Sequence, residues 1–197
     1  MELRALIAPL MLVACSAETP STAQTSADQT AADQAPTLSL PADKSELVEI
    51  GWRDLMPPGE EELIAEIYQQ QMLLLFETGG VAEGSAQDIA MQFGTFNTVP
   101  ELDGRRIRLP GYTVPFEFGK NAEVSEFLLV PYFGACLHAP PPPPNQTVYV
   151  TTDNAIRLGD LAQAVWVEGM MRTKSAYNEL GDAAYTIEID KIETYVY

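Results

Sequence analysis

The chain has 197 residues, with 28 acidic side chains against 11 basic ones and a net charge of −17. A body this acidic repels phosphate backbones, which excludes nucleic acid as a partner, and it disfavours lying flat on anionic lipid. No phosphate-binding loop, dinucleotide fingerprint or Cys-x-x-Cys redox pair occurs anywhere in it, so the motif-bearing enzyme classes drop out as well.

Residues 1–14, MELRALIAPLMLVA, form an apolar run behind a single cation, Arg4. The run is far short of the roughly 20 residues a mature transmembrane helix needs, and it fits the apolar region of a secretory signal. It ends in Leu12-Val13-Ala14-Cys15, which resembles a bacterial lipobox. The resemblance implies cleavage after Ala14 and diacylation of Cys15, with the acyl chains as the main membrane attachment; an ordinary signal peptide with a chance cysteine is the competing reading. Ser16 follows in place of Asp, which by resemblance to enterobacterial sorting implies a Gram-negative outer membrane, with the protein facing the periplasm. Residues 16–45 are nearly all Ser, Thr, Ala, Gln, Asp and Pro and cannot bury enough apolar surface to offset their ordering entropy. A flexible tether of roughly 30 residues has a reach of about 30 Å. Residues 46–197 remain as a single folded domain.

That domain opens with LVEIGWRDLMPPGEEELIAEIYQQQMLLLFETGG. Pro57-Pro58-Gly59 breaks the chain, and Glu60 to Glu62 then place negative charge where a helix dipole is positive. Leu63, Ile64, Ile67 and Leu74 recur at helical spacing until Gly79-Gly80. Trp52 and Leu55 are expected to pack ahead of this helix, and residues 84–96 to add another helical turn or two. From Thr98 the pattern reads as β. Asp103-Gly104 predicts a hairpin turn, after which Ile107 and Leu109 alternate with Arg106 and Arg108. Pro110-Gly111 interrupts the ladder as a bulge or barrel corner would. EVSEFLLVPYFGACLH, QTVYVTT, AVWVEGMMRTKS and AAYTIEIDKIETYVY supply further strands, the last two joined by the polar turn AYNELGD. Five or six strands in about 100 residues, with a long Gly-interrupted second strand, predict a small OB-like barrel behind helical additions. A β-sandwich is the alternative.

The stretch LVPYFGACLHAPPPPPNQTVYV holds the sole histidine, His138, two residues from Cys136. On an extended strand, residues two apart share a face, so a thiol and an imidazole would stand side by side. Both are ligand types for zinc and suit copper(I), though two donors leave a tetrahedral site incomplete, as a carrier would need. Pro140, Pro141, Pro142, Pro143 and Pro144 predict a stiff polyproline II rod of about 15 Å. Its carbonyls and ring faces would offer a partner an exposed docking loop, and Asn145 and Gln146 would tie it back to the barrel. Against a site stand two plainer readings: Cys136 as a small buried hydrophobe among Phe133, Ala135 and Leu137, and His138 as a hydrogen-bond donor to a loop carbonyl. A Cys–His nucleophile pair is a third reading, with no oxyanion donor evident nearby.

GWRDLMPPG, QFGTFNTVPELDGRRIRLPGYTVPFE and above all EFLLVPYFGACLHAPPPPPNQTVYV closely resemble a bacterial lipoprotein family known as domain of unknown function 3299, over residues 46–197. The resemblance implies no established activity. It does imply a neighbourhood, since relatives are often encoded beside ABC transporters of the macrolide-export or lipoprotein-release type and beside histidine-rich periplasmic proteins linked to zinc. Three functions follow as expectations: a lipoprotein that binds or relays zinc or another soft metal for an envelope transport system, a metal-free docking module, and a thiol enzyme. The first two make it a non-enzyme.

Overall fold

The computed structural model describes residues 39–77, 91–117, 123–136 and 140–196, all within the compact unit Leu38–Tyr197. The signal region, Cys15, the tether as far as residue 38 and His138 lie outside the described residues. Six strands and one helix organise the rest: β1 (Val48–Glu49), α1 (Glu60–Glu77), β2 (Arg105–Pro115), β3 (Glu123–Val130), β4 (Val148–Arg157), β5 (Val165–Arg172) and β6 (Tyr185–Thr194). The order β2-β3-β4-β6-β5 closes on itself through the β2–β5 pairing, and β4 and β6 run parallel while the other barrel neighbours are antiparallel. This is the expected OB-like barrel, with β1 added in parallel beside β2.

β2 makes the closure by pairing β5 over Arg105–Gly111 and β3 over Tyr112–Pro115. The switch falls at Pro110-Gly111, where the sequence predicts a corner. A Cβ at Gly111 would lie 2.8 Å from the Val130 carbonyl oxygen and 2.9 Å from Trp52 Cζ2, so only glycine lets the strands and the indole meet there. Trp52 in turn donates its Nε1–H to the Pro110 carbonyl at 2.8 Å. A second close approach bends β5 at the Glu168/Gly169 bulge, where a Cβ at Gly169 would stand 2.2 Å from the Glu188 oxygen.

Ile107, Leu109, Phe127, Leu129, Val148, Val150, Val167, Met171 and Ile187 are all fully buried inside the barrel. Burial of each such side chain stabilises the fold by about 1.5–3 kcal/mol. Leu55 and Leu102 plug it from outside the strands, and Tyr185 joins them. The Tyr185 hydroxyl donates to the Leu55 carbonyl and accepts the Val99 N–H, both at 2.7 Å, so one side chain ties two entry segments to β6.

Four expectations change. The Asp103-Gly104 turn forms, but a 3-10 turn over Pro100–Leu102 precedes it and no hairpin partner strand exists there. Residues 91–96 contain no helix, and the remainder of the stretch expected to be helical lies outside the described residues. On α1 only Ile64 among the apolar positions is buried, while Leu63, Met72, Leu73 and Phe76 stay exposed, because the helix makes little contact with the barrel. The ordered domain also begins before residue 46: Leu40 packs on the core, the Lys44 carbonyl accepts the Arg106 N–H at 2.9 Å, and Arg105 Nη1 donates to the Asp43 carbonyl at 3.3 Å.

Candidate functional site

The fold changes the backbone expected at Cys136. β3 ends at Val130, and the chain turns so that Cys136 takes a φ of +65°. An extended strand that would set Cys136 and His138 on one face is therefore absent at Cys136. Its half-buried side chain packs against the cluster of Val114, Leu128, Val130 and Ala135. Burial pushes the thiol up to about 11, so without a bound metal it keeps its proton at neutral pH and is a poor nucleophile. Among the described residues no group of three or more His, Cys, Asp or Glu is arranged to hold a metal ion. His138, the other donor of the expected pair, lies outside the described residues.

The proline loop is also different from an exposed rod. Pro141, Pro142 and Pro144 are buried, as is Asn145, and only Pro140 is exposed. Pro144–Gln146 winds into a 3-10 turn, which ends the extended run at Pro143. The carbonyls left bare by the prolines are met from the protein itself: Gln92 Nε2 donates to Pro142 at 2.6 Å, Thr147 Oγ1 to Pro143 at 3.2 Å and the Ala184 N–H to Pro144 at 2.8 Å. Asn145 and Gln146 do tie the loop down. Gln146 Nε2 donates to the Trp52 carbonyl at 2.8 Å, and Asn145 Nδ2 donates to the buried Glu60 carboxylate at 3.0 Å. Glu60 also accepts from Thr95 Oγ1 and, at 2.9 Å, from Asn97 Nδ2. The loop is thus a clamp between the start of α1, the 91–97 segment and the barrel, and its surface is spent on that packing.

The opposite situation holds where β3, β4 and β6 face outward beside Phe116 and the β5–β6 connection. A cleft of about 430 Å³ opens there, lined by Phe116, Glu126, Tyr149, Lys174, Tyr177 and Asn178 among others. A second, of about 540 Å³, shares Phe116 and Glu126 and continues past Glu117 and Glu123. Together they make one groove across β3. The Phe116 and Tyr149 rings sit 5.8 Å apart at 46°, and Tyr177 leans on Phe96 at 5.5 Å. Tyr149 donates its hydroxyl to Glu126 Oε2 at 2.7 Å. Burial, reinforced by that bond and the carboxylate charge, pushes the Tyr149 hydroxyl up to about 12, so it remains a neutral donor.

The rim carrying Lys174, Tyr177 and Asn178 is preorganised. An Ala176–Ala183 bridge closes the β5–β6 connection with two hydrogen bonds of 2.8 and 2.9 Å. Asn178 Oδ1 accepts the Leu180 and Gly181 N–H groups, and Gln92 holds Asp182 by its N–H and its carbonyl. Asn178 Nδ2 is buried with no hydrogen-bond partner, a donor left over after the loop's own needs are met. In the sequence this segment is only the polar turn AYNELGD. Nothing in its spacing marks Tyr177 and Asn178, because they meet Phe116, Glu126 and Tyr149 only through barrel closure.

Residues 52–194 match the family model described as "Protein of unknown function (DUF3299)". The chain belongs to the DUF3299 family. A solved DUF3299 protein from Pseudomonas aeruginosa PAO1 is 33% identical, with a TM-score of 0.57, over 78% of this chain and 99% of that one. No curated protein matches. Membership in DUF3299 therefore brings a shared fold and no assigned chemistry, and the groove has to be read from its own residues.

Proposed function

We propose that this DUF3299 protein is a lipid-anchored, metal-free docking module of the bacterial envelope, acylated at Cys15, held at the outer membrane facing the periplasm and serving an ABC-type transport system. The groove across β3 is its contact surface. One observation carries this choice over metal relay: the half-buried Cys136 side chain packs on an apolar cluster and the proline loop packs into the fold, whereas the groove is open, aromatic and polar. OB barrels bind ligands on this outward strand face and on the loops that flank it, which adds support from general architecture. The anchor rests on the Leu12-Val13-Ala14-Cys15 motif and the transporter on the family neighbourhood.

The test combines photo-crosslinking and metal analysis on the full chain in intact cells. A photoreactive side chain at Tyr177 should give a cross-link to an ABC transporter component, and Phe116→Ala with Tyr149→Ala should abolish it. Chain purified mildly should hold no stoichiometric zinc or copper(I). Stoichiometric metal lost in Cys136→Ser, without any cross-link through the groove, would restore the metal reading.

A further inference from the structure

We propose that the groove recognises an extended peptide segment carrying Lys or Arg side chains; this deepens the docking reading and rests on it. The barrel ladder decides the mode of binding. β3 is paired to β4 over Glu123–Leu129 but to β2 only over Phe127–Val130, so along Glu123–Glu126 the β2 pairing has ended. A ligand there meets the side chains of the groove together with that stretch of strand edge, which suits an extended peptide.

Charge then decides the sign. The described lining residues place Glu117, Glu123 and Glu126 along the groove, with Lys174 at one end. Arg157 stands beside Glu123 at 4.0 Å, both side chains well exposed, a pair that an incoming cation opens at little cost. Phe116, Tyr149 and Tyr177 add aromatic faces, which attract ammonium and guanidinium groups. Carboxylates and ring faces lining one groove are the complement of a basic, flexible segment. A neutral sugar could stack on a ring and hydrogen-bond to a carboxylate, but it carries no charge for the three carboxylates to attract. Phosphate-bearing ligands meet repulsion both here and from the net charge of −17.

A basic peptide is also drawn by the overall charge, so the experiment separates the groove from the general field. Full chain in neutral detergent is titrated with a labelled Lys-Ala decapeptide, a Glu-Ala decapeptide, a Ser-Ala decapeptide and a neutral chitin hexasaccharide, with binding located by amide shifts on β3 and residues 174–178. The Lys-Ala peptide should bind at the groove, the others at least about tenfold more weakly. Glu117→Gln/Glu123→Gln/Glu126→Gln should weaken it by about tenfold or more, at about threefold or more per exposed pair. Glu61→Gln/Glu62→Gln/Glu66→Gln, which removes equal charge from α1, should change it by less than about twofold. Equal loss in the two triple variants would mean diffuse attraction and overturn the proposal. Groove shifts with the neutral peptide or the sugar instead would overturn the ligand class while keeping the groove as a docking surface. No shift with any probe would overturn both. Unchanged thermal midpoints in the two triple variants ensure that lost binding is not lost folding.

Discussion

Tyr185→Phe tests the account of how the entry segments are held on the barrel. The substitution removes one oxygen and no apolar surface, so any loss comes from hydrogen bonding. The hydroxyl is fully buried and serves the Leu55 carbonyl and the Val99 N–H, each at 2.7 Å. Leaving a buried backbone group unsatisfied costs about 1–3 kcal/mol, and partial relaxation makes about 2–4 kcal/mol for the two together. In a domain of this size that is a fall in midpoint of roughly 5–15 °C. Urea and thermal unfolding followed by circular dichroism measure it, with Tyr177→Phe, on a ring 74% exposed, as a control expected within about 0.5 kcal/mol of wild type. Alkaline pH gives a second readout. Burial pushes the Tyr185 hydroxyl from its ordinary value near 10 up to about 12, so the folded state holds this proton more tightly than the unfolded chain. The stabilisation is complete below pH 10 and disappears as pH climbs through 12. Tyr149 titrates in the same window in both proteins, so the difference between the wild-type and Tyr185→Phe curves isolates Tyr185. A stability loss under 0.5 kcal/mol, or parallel curves between pH 10 and 12, would refute the bridging role.

Further outcomes follow from the same contacts. Cys136 should react with iodoacetamide at pH 8 about 100-fold more slowly than a free cysteine, since a thiol pushed up to about 11 is almost wholly protonated there; a rate equal to the free thiol's would revive the nucleophile reading. Glu60→Ala should cost about 2–4 kcal/mol and raise amide exchange across residues 91–97, because Thr95, Asn97 and Asn145 lose a buried acceptor. Gly169→Ala should cost about 2 kcal/mol or more by driving a methyl group to 2.2 Å from the Glu188 oxygen, as chemical denaturation would show. Deleting residues 16–36 should leave the thermal midpoint unmoved, whereas deleting 16–45 should lower it by several degrees through loss of Leu40 and the Lys44 and Asp43 carbonyl contacts. Cys15→Ser should abolish acyl labelling and detergent partitioning.

By itself the sequence determined the elements whose signals are local. Glu60–Glu77 is helical because Pro57-Pro58-Gly59 and three acidic residues start it, and Ile107, Leu109, Tyr185 and Ile187 point inward because strand periodicity is two. The corner at Pro110-Gly111 was legible for the same reason, since a residue lacking a Cβ beside one lacking an N–H can hardly sit in a regular ladder. Tertiary structure decided everything that depends on which side chains meet. Cys136 was expected on an extended strand because strand geometry was carried six residues past Val130; the chain instead turns at Gly134 and Cys136, both at positive φ, and the half-buried thiol packs on an apolar cluster. Five prolines looked like an exposed rod because isolated polyproline is solvated, yet Gln92 and Ala184, distant in sequence, and Thr147 just past the loop supply the donors that let it be buried. The groove has no sequence signature for the converse reason. Phe116, Glu126, Tyr149 and Tyr177 sit on four separate segments, and only the closure of β2 on both β3 and β5 brings them to one face.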